Sequence, residues 1–168
     1  IYWGRFYAGR LADDMTTVTD VRTFDTPHRV YSEGPGFFKR KGIYYYLYTL
    51  GGDERYQYAY MMSRVSPLGP WEAPKEDIIT TTNVETGVFG PGHGCVFNVN
   101  NTDDWYFAFL EFGRRSTNRQ TYVNKMEFNE DGTIRPVKVD LNGVGALAKV
   151  KWPQALKVVA TKASSTRQ

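Results

Sequence analysis

Apolar and polar positions alternate along this chain in short runs, and no stretch keeps the spacing of an amphipathic helix. IYYYLYTL (43–50), YQYAYMMSRV (56–65), GCVFNV (94–99), DWYFAFLEF (104–112) and QTYVNKMEF (120–128) are rich in aromatic and β-branched residues and are bounded by Gly, Pro, Asn or Asp. That is the pattern of β-strands, whose side chains point alternately to opposite faces. The chain is therefore expected to be all-β and antiparallel. The tyrosines of Ile43–Leu50 point to a strand buried on one face and wet on the other.

Two groups of these runs align with each other. In the first, a Gly/Pro turn carrying Glu33 leads through FFKRKG to IYYYLYTL, then YQYAYMMSRV, then the turn SPLGPW. In the second, the turn GPGHG carrying His93 leads through VFNVNNTD to DWYFAFLEF, then QTYVNKMEF, then the turn NEDG. Glu33 and His93 are 60 positions apart and Ile43 and Trp105 are 62, so the offset is nearly constant. Repeats of about 40 to 60 residues that hold about four short strands are the signature of β-propeller blades. The opening IYWGRFYAGRLADDMTTVTD reads as the outer part of one further blade. Propellers close on about four to eight blades, and this sequence holds between two and three. A partial ring leaves sheet edges and blade faces unpaired, so the sequence is expected to be incomplete.

Composition narrows the classes of function. Of 168 residues, 41% are hydrophobic, enough for one domain with a sizeable core, and 21 basic against 18 acidic residues give a formal charge of only +3. That balance argues against nucleic acid or an anionic membrane as a partner. The cluster Lys39-Arg40-Lys41 falls at a hairpin tip and reads as a solvated turn. A single cysteine, Cys95, excludes an internal disulfide and a cysteine-based zinc site. No apolar run approaches the length that crosses a bilayer, and IYWGRFYAG has no signal pattern.

The innermost strand of each blade lines the axis of a propeller, so the turns entering those strands converge. Glu33 and His93 fall in equivalent places of consecutive blades and are candidates for a shared axial site. Glu33 reads either as a general acid whose pKa is raised by an aromatic-walled setting, or as a carboxylate bonded to its own turn. His93 reads either as a ligand of a metal or its water, or as a buried imidazole bonded to a carbonyl. His28 reads as a surface or supporting residue, and Glu111 as a strand end that is solvated or faces the axis. Among Arg114, Arg115 and Arg119, at least one is expected to project a guanidinium into the pocket. Tyr44, Tyr46, Trp105 and Phe107 alternate, so half of them face the core.

Taken together, SEGPGFFKRKGIYYYLYTLGG, YAYMMSRVSPLGPWE, GPGHGCVFNVNNTDDWYFAFLEF and NRQTYVNKMEFNEDGTI resemble the C-terminal part of glycoside hydrolase family 43 over residues 1–147. The resemblance implies a five-bladed β-propeller, of which this chain covers roughly the last two to three blades. It implies inverting hydrolysis of arabinose- or xylose-containing plant polysaccharide, as an α-L-arabinofuranosidase or a β-xylosidase, with Glu33 as the general acid. It implies that His93 is the axial histidine near a structural calcium or sodium ion, and that Arg119 meets the substrate hydroxyls. No organic cofactor is expected. Residues 148–168 are read as a linker or the start of a carbohydrate-binding β-sandwich, since ATKASSTR (160–167) resembles the opening of a discoidin-type module.

The family's general base and its pKa-modulating aspartate have no counterpart in this sequence. They are expected on an N-terminal segment of the same protein, present as a second chain. Secretion to the extracellular space or periplasm is expected for an enzyme of plant polysaccharide. Three other readings stand beside the hydrolase: a carbohydrate-binding propeller without catalysis, an interaction propeller, and an inactive fragment.

Overall fold

The computed structural model describes residues 1–3, 6–99, 102–116 and 119–145. The expected division at 147/148 and the tail 148–168 lie outside the described residues. Three antiparallel sheets follow one another along the chain. The first joins β1 (Tyr2–Trp3), β2 (Tyr7–Leu11) and β3 (Val18–Thr23). The second joins β4 (Tyr31–Arg40), β5 (Ile43–Leu50), β6 (Gln57–Ser63) and β7 (Ile78–Thr80). The third joins β8 (Gly92–Asn98), β9 (Trp105–Glu111) and β10 (Gln120–Met126). Each sheet is a simple meander with its strands in chain order, the topology of a propeller blade.

The bounds of β5 coincide with the aromatic run read from the sequence, but its exposure does not. Tyr45, Tyr46 and Tyr48 are all fully buried. Their alternation separates two cores rather than core from water. Ile43, Tyr45 and Leu47 pack with Phe107, Phe109 and Met126 of the third sheet. Tyr46, Tyr48 and Leu50 pack on the other face with Tyr2, Phe6 and Phe24 of the first sheet region. A middle blade has neighbours on both faces, so even a tyrosine-rich strand is submerged.

Burial obliges the hydroxyls to find partners. Tyr45 donates to the carbonyl of Gly132 at 2.7 Å, and Tyr60 accepts the N–H of Ile134 at 2.8 Å. Both reach the NEDG turn after β10. From there the chain returns between the outer edges of the two sheets, where the Val137 N–H bonds the Ile79 carbonyl at 2.7 Å.

The largest departure concerns the Glu33 segment. Sequence reading makes SEGPG a turn ahead of a strand, yet the whole of Tyr31–Arg40 is the inner strand β4, paired to β5. Gly and Pro obscure it because they are poor strand formers except at bulges and edges. β4 is an edge strand carrying bulges, so both residues are tolerated.

Candidate active site

β4 and β8 carry the same irregularity. In β4, Glu33 pairs with Thr49 and Gly36 with Leu47, so three steps of one strand span two of its partner. In β8, Gly92 pairs with Leu110 and Cys95 with Ala108, the same excess of one residue. The first residue inside each bulge is left-handed: Gly34 at φ +67 and His93 at φ +43. Bulges re-aim side chains and gather near active sites.

This register corrects the sequence alignment by one position. The counterpart of Glu33 is Gly92, and that of His93 is Gly34. The two side chains therefore leave adjacent strands from successive backbone steps and meet, with His93 Nδ1 3.4 Å from Glu33 Oε1.

Two glycines permit that approach. A Cβ on Gly34 would lie 2.7 Å from Thr49 Oγ1 and 3.1 Å from the Cα of His93. One on Gly94 would lie 2.4 Å from the ring of Phe107. The buried Tyr58 hydroxyl stands 2.8 Å from the carbonyls of both Gly34 and Gly94, sharing its proton between the two bulges. Thr49 Oγ1 accepts the His93 N–H at 2.9 Å.

Glu33 keeps 42% of its side chain exposed and His93 54%. The Tyr56 hydroxyl donates to Glu33 Oε1 at 2.9 Å. That bond, followed by the influence of His93 and Arg119, holds the Glu33 carboxyl below its ordinary pKa against the opposing effect of partial burial. The general-acid alternative read from the sequence expected the reverse. Aromatic walls raise a carboxyl pKa only by desolvation, and here the aromatic neighbour presents its hydroxyl instead.

The three arginines separate. Arg119 lies with its guanidinium 5.4 Å from the ring centre of Phe112 and acts electrostatically on both Glu33 and Tyr56. Arg114 lies 5.8 Å over Phe89, and the Arg115 N–H bonds the Glu54 carboxylate. Of the three, Arg119 is the one whose charge acts on Glu33 and Tyr56.

Glu111 is not a solvated strand end: it is 2% exposed and accepts the Phe89 N–H at 3.0 Å. His28 is held 2.7 Å from the buried carboxylate of Asp77, beneath the second sheet's inner aromatic face, in a supporting position.

Sequence reasoning missed Tyr56, Thr49 and Tyr58. Each sat inside or beside an aromatic strand pattern, where a packing role explains every residue and nothing marks the one with a free hydroxyl. The second and third sheets thus bring an acid, an imidazole, a phenol and a guanidinium to one end of their inner strands. Among the described residues, no three of His, Cys, Asp and Glu gather closely enough to hold a metal ion.

The sequence profile of Glycosyl hydrolases family 43 matches residues 2–134. The chain is 34% identical over 151 residues to beta-D-galactofuranosidase xynD of Aspergillus niger, covering 84% of this chain and 42% of that protein. It is 30% identical over 156 residues to an arabinoxylan arabinofuranohydrolase of Paenibacillus polymyxa, covering 84% of this chain and 24% of that protein. The chain therefore spans less than half the length of these relatives.

Among solved structures, one described as a glycoside hydrolase is 66% identical and superposes with a TM-score of 0.83 over 95% of this chain and 36% of that one. The arabinoxylan arabinofuranohydrolase of Bacillus subtilis, solved with cellotetraose, is 29% identical, with a TM-score of 0.66 over 86% of this chain and 31% of that one. The three sheets are blades of the five-bladed β-propeller type found in these neighbours. The chain belongs to glycosyl hydrolases family 43.

Proposed function

We propose that this chain forms part of an inverting glycosidase that releases arabinose or xylose from plant polysaccharide, α-L-arabinofuranosidase ahead of β-xylosidase, with Glu33 as its general acid. The observation that carries the reading is the half-exposed Glu33 carboxyl, set on a bulge beside Arg119 and His93 in a chain of this family. The names of relatives support the substrate class, since arabinoxylan arabinofuranohydrolases and a xylan 1,3-beta-xylosidase of a Vibrio species are among them. Such an enzyme would act outside the cytoplasm, where polysaccharide is met.

Inversion is a single displacement. The Glu33 proton passes to the glycosidic oxygen as the bond from the anomeric carbon to that oxygen breaks. A water oxygen bonds the same carbon from the opposite face and loses its proton to a second carboxylate, about 6.5–9.5 Å from the first. We assign that base, and a further carboxylate near Glu33, to a segment of the protein outside this chain. A nearby carboxylate raises the pKa of its neighbour by like-charge repulsion, which is what a group depressed by Tyr56 needs to carry a proton at working pH. Arg119 offers a fixed fork of N–H donors to vicinal hydroxyls.

His93 fits a loosely held axial ion. With Nδ1 turned to Glu33, Nε2 keeps its lone pair for a cation or its water. A calcium or sodium ion, when bound, supplies positive field and holds the blades in register.

A lectin-like propeller is the second reading, favoured by the depressed Glu33 pKa, because an ionised carboxylate is a strong acceptor for sugar hydroxyls. Proton NMR of the first sugar released from arabinoxylan separates these. The proposal predicts free sugar with its anomeric configuration inverted. Retained configuration, or binding without release, would contradict it.

A further inference from the structure

A phenol hydroxyl and an imidazole nitrogen reach Glu33, and both reach the same oxygen. Tyr56 Oη lies 2.9 Å from Oε1 and His93 Nδ1 lies 3.4 Å from it, while no hydrogen bond to Oε2 is made among the described residues. The Tyr56 contact is the shorter, and its donor is rigidly mounted. Tyr56 is buried, and its backbone end abuts Gly92 so closely that a Cβ there would stand 3.0 Å from Tyr56 Cβ. Its ring meets Phe112 edge-on, with centroids 5.9 Å apart. A tyrosine has two side-chain torsions and both are fixed here, whereas the terminal torsion of a glutamate is broad and needs an external restraint.

We propose that Tyr56 is the positioning residue of the acid: by holding Oε1 it fixes the plane of the Glu33 carboxyl and dedicates Oε2 to the glycosidic oxygen. This rests on the reading of Glu33 as general acid. The carbonyl oxygen of a carboxylic acid is its better acceptor, so the Tyr56 bond favours that role for Oε1 and leaves the proton to Oε2. As it passes to the leaving oxygen, negative charge grows on the carboxyl and the Tyr56 bond strengthens. An interaction stronger in the transition state than in the ground state accelerates the step without tightening substrate binding. His93 Nδ1 stands farther from the same oxygen, at 3.4 Å. Arg119 and, through Tyr56, Asp53 are the other charged groups acting on the pair.

Tyr56→Phe tests this in the full-length protein, since it removes one oxygen and keeps the ring. On arabinoxylan, kcat is expected to fall about 10- to 100-fold, the scale of a misplaced catalytic group, with KM nearly unchanged. On a 2,4-dinitrophenyl glycoside of the same sugar, which leaves without protonation, kcat is expected to change less than about threefold. In a Glu33→Gln background the same substitution is expected to add no further loss on arabinoxylan, because Tyr56 acts through Glu33.

Equal losses on both substrates, a loss in KM alone, or an undiminished loss in the Glu33→Gln background would overturn the assignment of Tyr56. If Glu33→Gln itself failed to discriminate the two substrates, the acid reading would fall and this inference with it. A melting temperature for Tyr56→Phe close to wild type separates positioning from unfolding.

Discussion

The two ends of the strand pair β4 and β8 each carry a carboxylate facing a cation, and they are built for different work. At the hairpin end, Asp103 is gripped by Arg40 through two bonds of 2.8 and 2.7 Å, by Lys41 at 2.7 Å and by the Trp105 indole at 2.7 Å. Arg40 also lies 4.1 Å over the ring of Phe128. Four donor atoms converge on one carboxylate, and the second blade is tied to the third. At the bulged end, Glu33 has one short bond and one long contact, both at Oε1, and no hydrogen bond to Oε2 among the described residues. A saturated carboxylate is a fastener, whereas one on a bulge that leaves an oxygen without a hydrogen bond among the described residues is poised to act. The difference lies in the count and geometry of donors, since both carboxylates are roughly two-fifths exposed.

The comparison breaks most sharply on exchanging each carboxylate for its amide. Glu33→Gln is expected to lower turnover of arabinoxylan by about 10²- to 10⁴-fold, the range of general acid catalysis, with little change in melting temperature. Initial rates and a thermal melt on one preparation check both halves.

Gly34→Ala comes next. It places a side chain at φ +67 and a Cβ against Thr49 and His93, and should destabilise the fold by about 1–3 kcal/mol while displacing His93. Denaturant unfolding measures the first effect.

Tyr58→Phe strips the shared hydroxyl from two buried carbonyls, a loss of about 1–3 kcal/mol. Amide exchange of both bulges should quicken together, because one hydroxyl serves both.

Asp103→Asn is expected to cost no more than about 1 kcal/mol and to leave kcat intact, since surface ion pairs contribute little. Its effect carries a pH signature. Arg40 above all, with Lys41 and Trp105, holds the Asp103 carboxyl well below the usual range. A group depressed on folding stabilises above its unfolded pKa and loses that contribution as pH falls through its folded one. The stability gap between wild type and Asp103→Asn should therefore be full at neutral pH, shrink below about pH 4, and vanish in stronger acid.

How much of this was legible in the sequence follows from what each residue's neighbours reveal. Ile43–Leu50 was readable to the residue, because aromatic and β-branched side chains in an unbroken run leave one local choice. The propeller repeat was readable from the recurring order of turn and strand. Tyr31–Arg40 was not, because Glu-Gly-Pro-Gly is equally the signature of a turn and of a bulged edge strand, and only pairing with β5 decides. β7 is three residues long and carries too little pattern to detect.

Glu33 and His93 stood out as rare polar residues among glycines, but their one-step stagger depends on a register that no linear alignment contains. Tyr56 was hidden by its own resemblance to the eleven other tyrosines. Its role exists only once Gly92 and Phe112 fix where its hydroxyl ends. Asp103 carried no signal of its own in the sequence, because the four donors that hold it come from the tip of one hairpin and the start of the next strand.

The central claim is that Glu33 delivers a proton. The measurement that tests it most directly is hydrolysis by Glu33→Gln in the full-length protein of two substrates sharing one sugar, an arabinoxylan side chain and its 2,4-dinitrophenyl glycoside. The account predicts collapse on the first and near wild-type turnover on the second, because dinitrophenolate needs no proton to leave. Equal retention of activity on both, or equal loss on both, would contradict it.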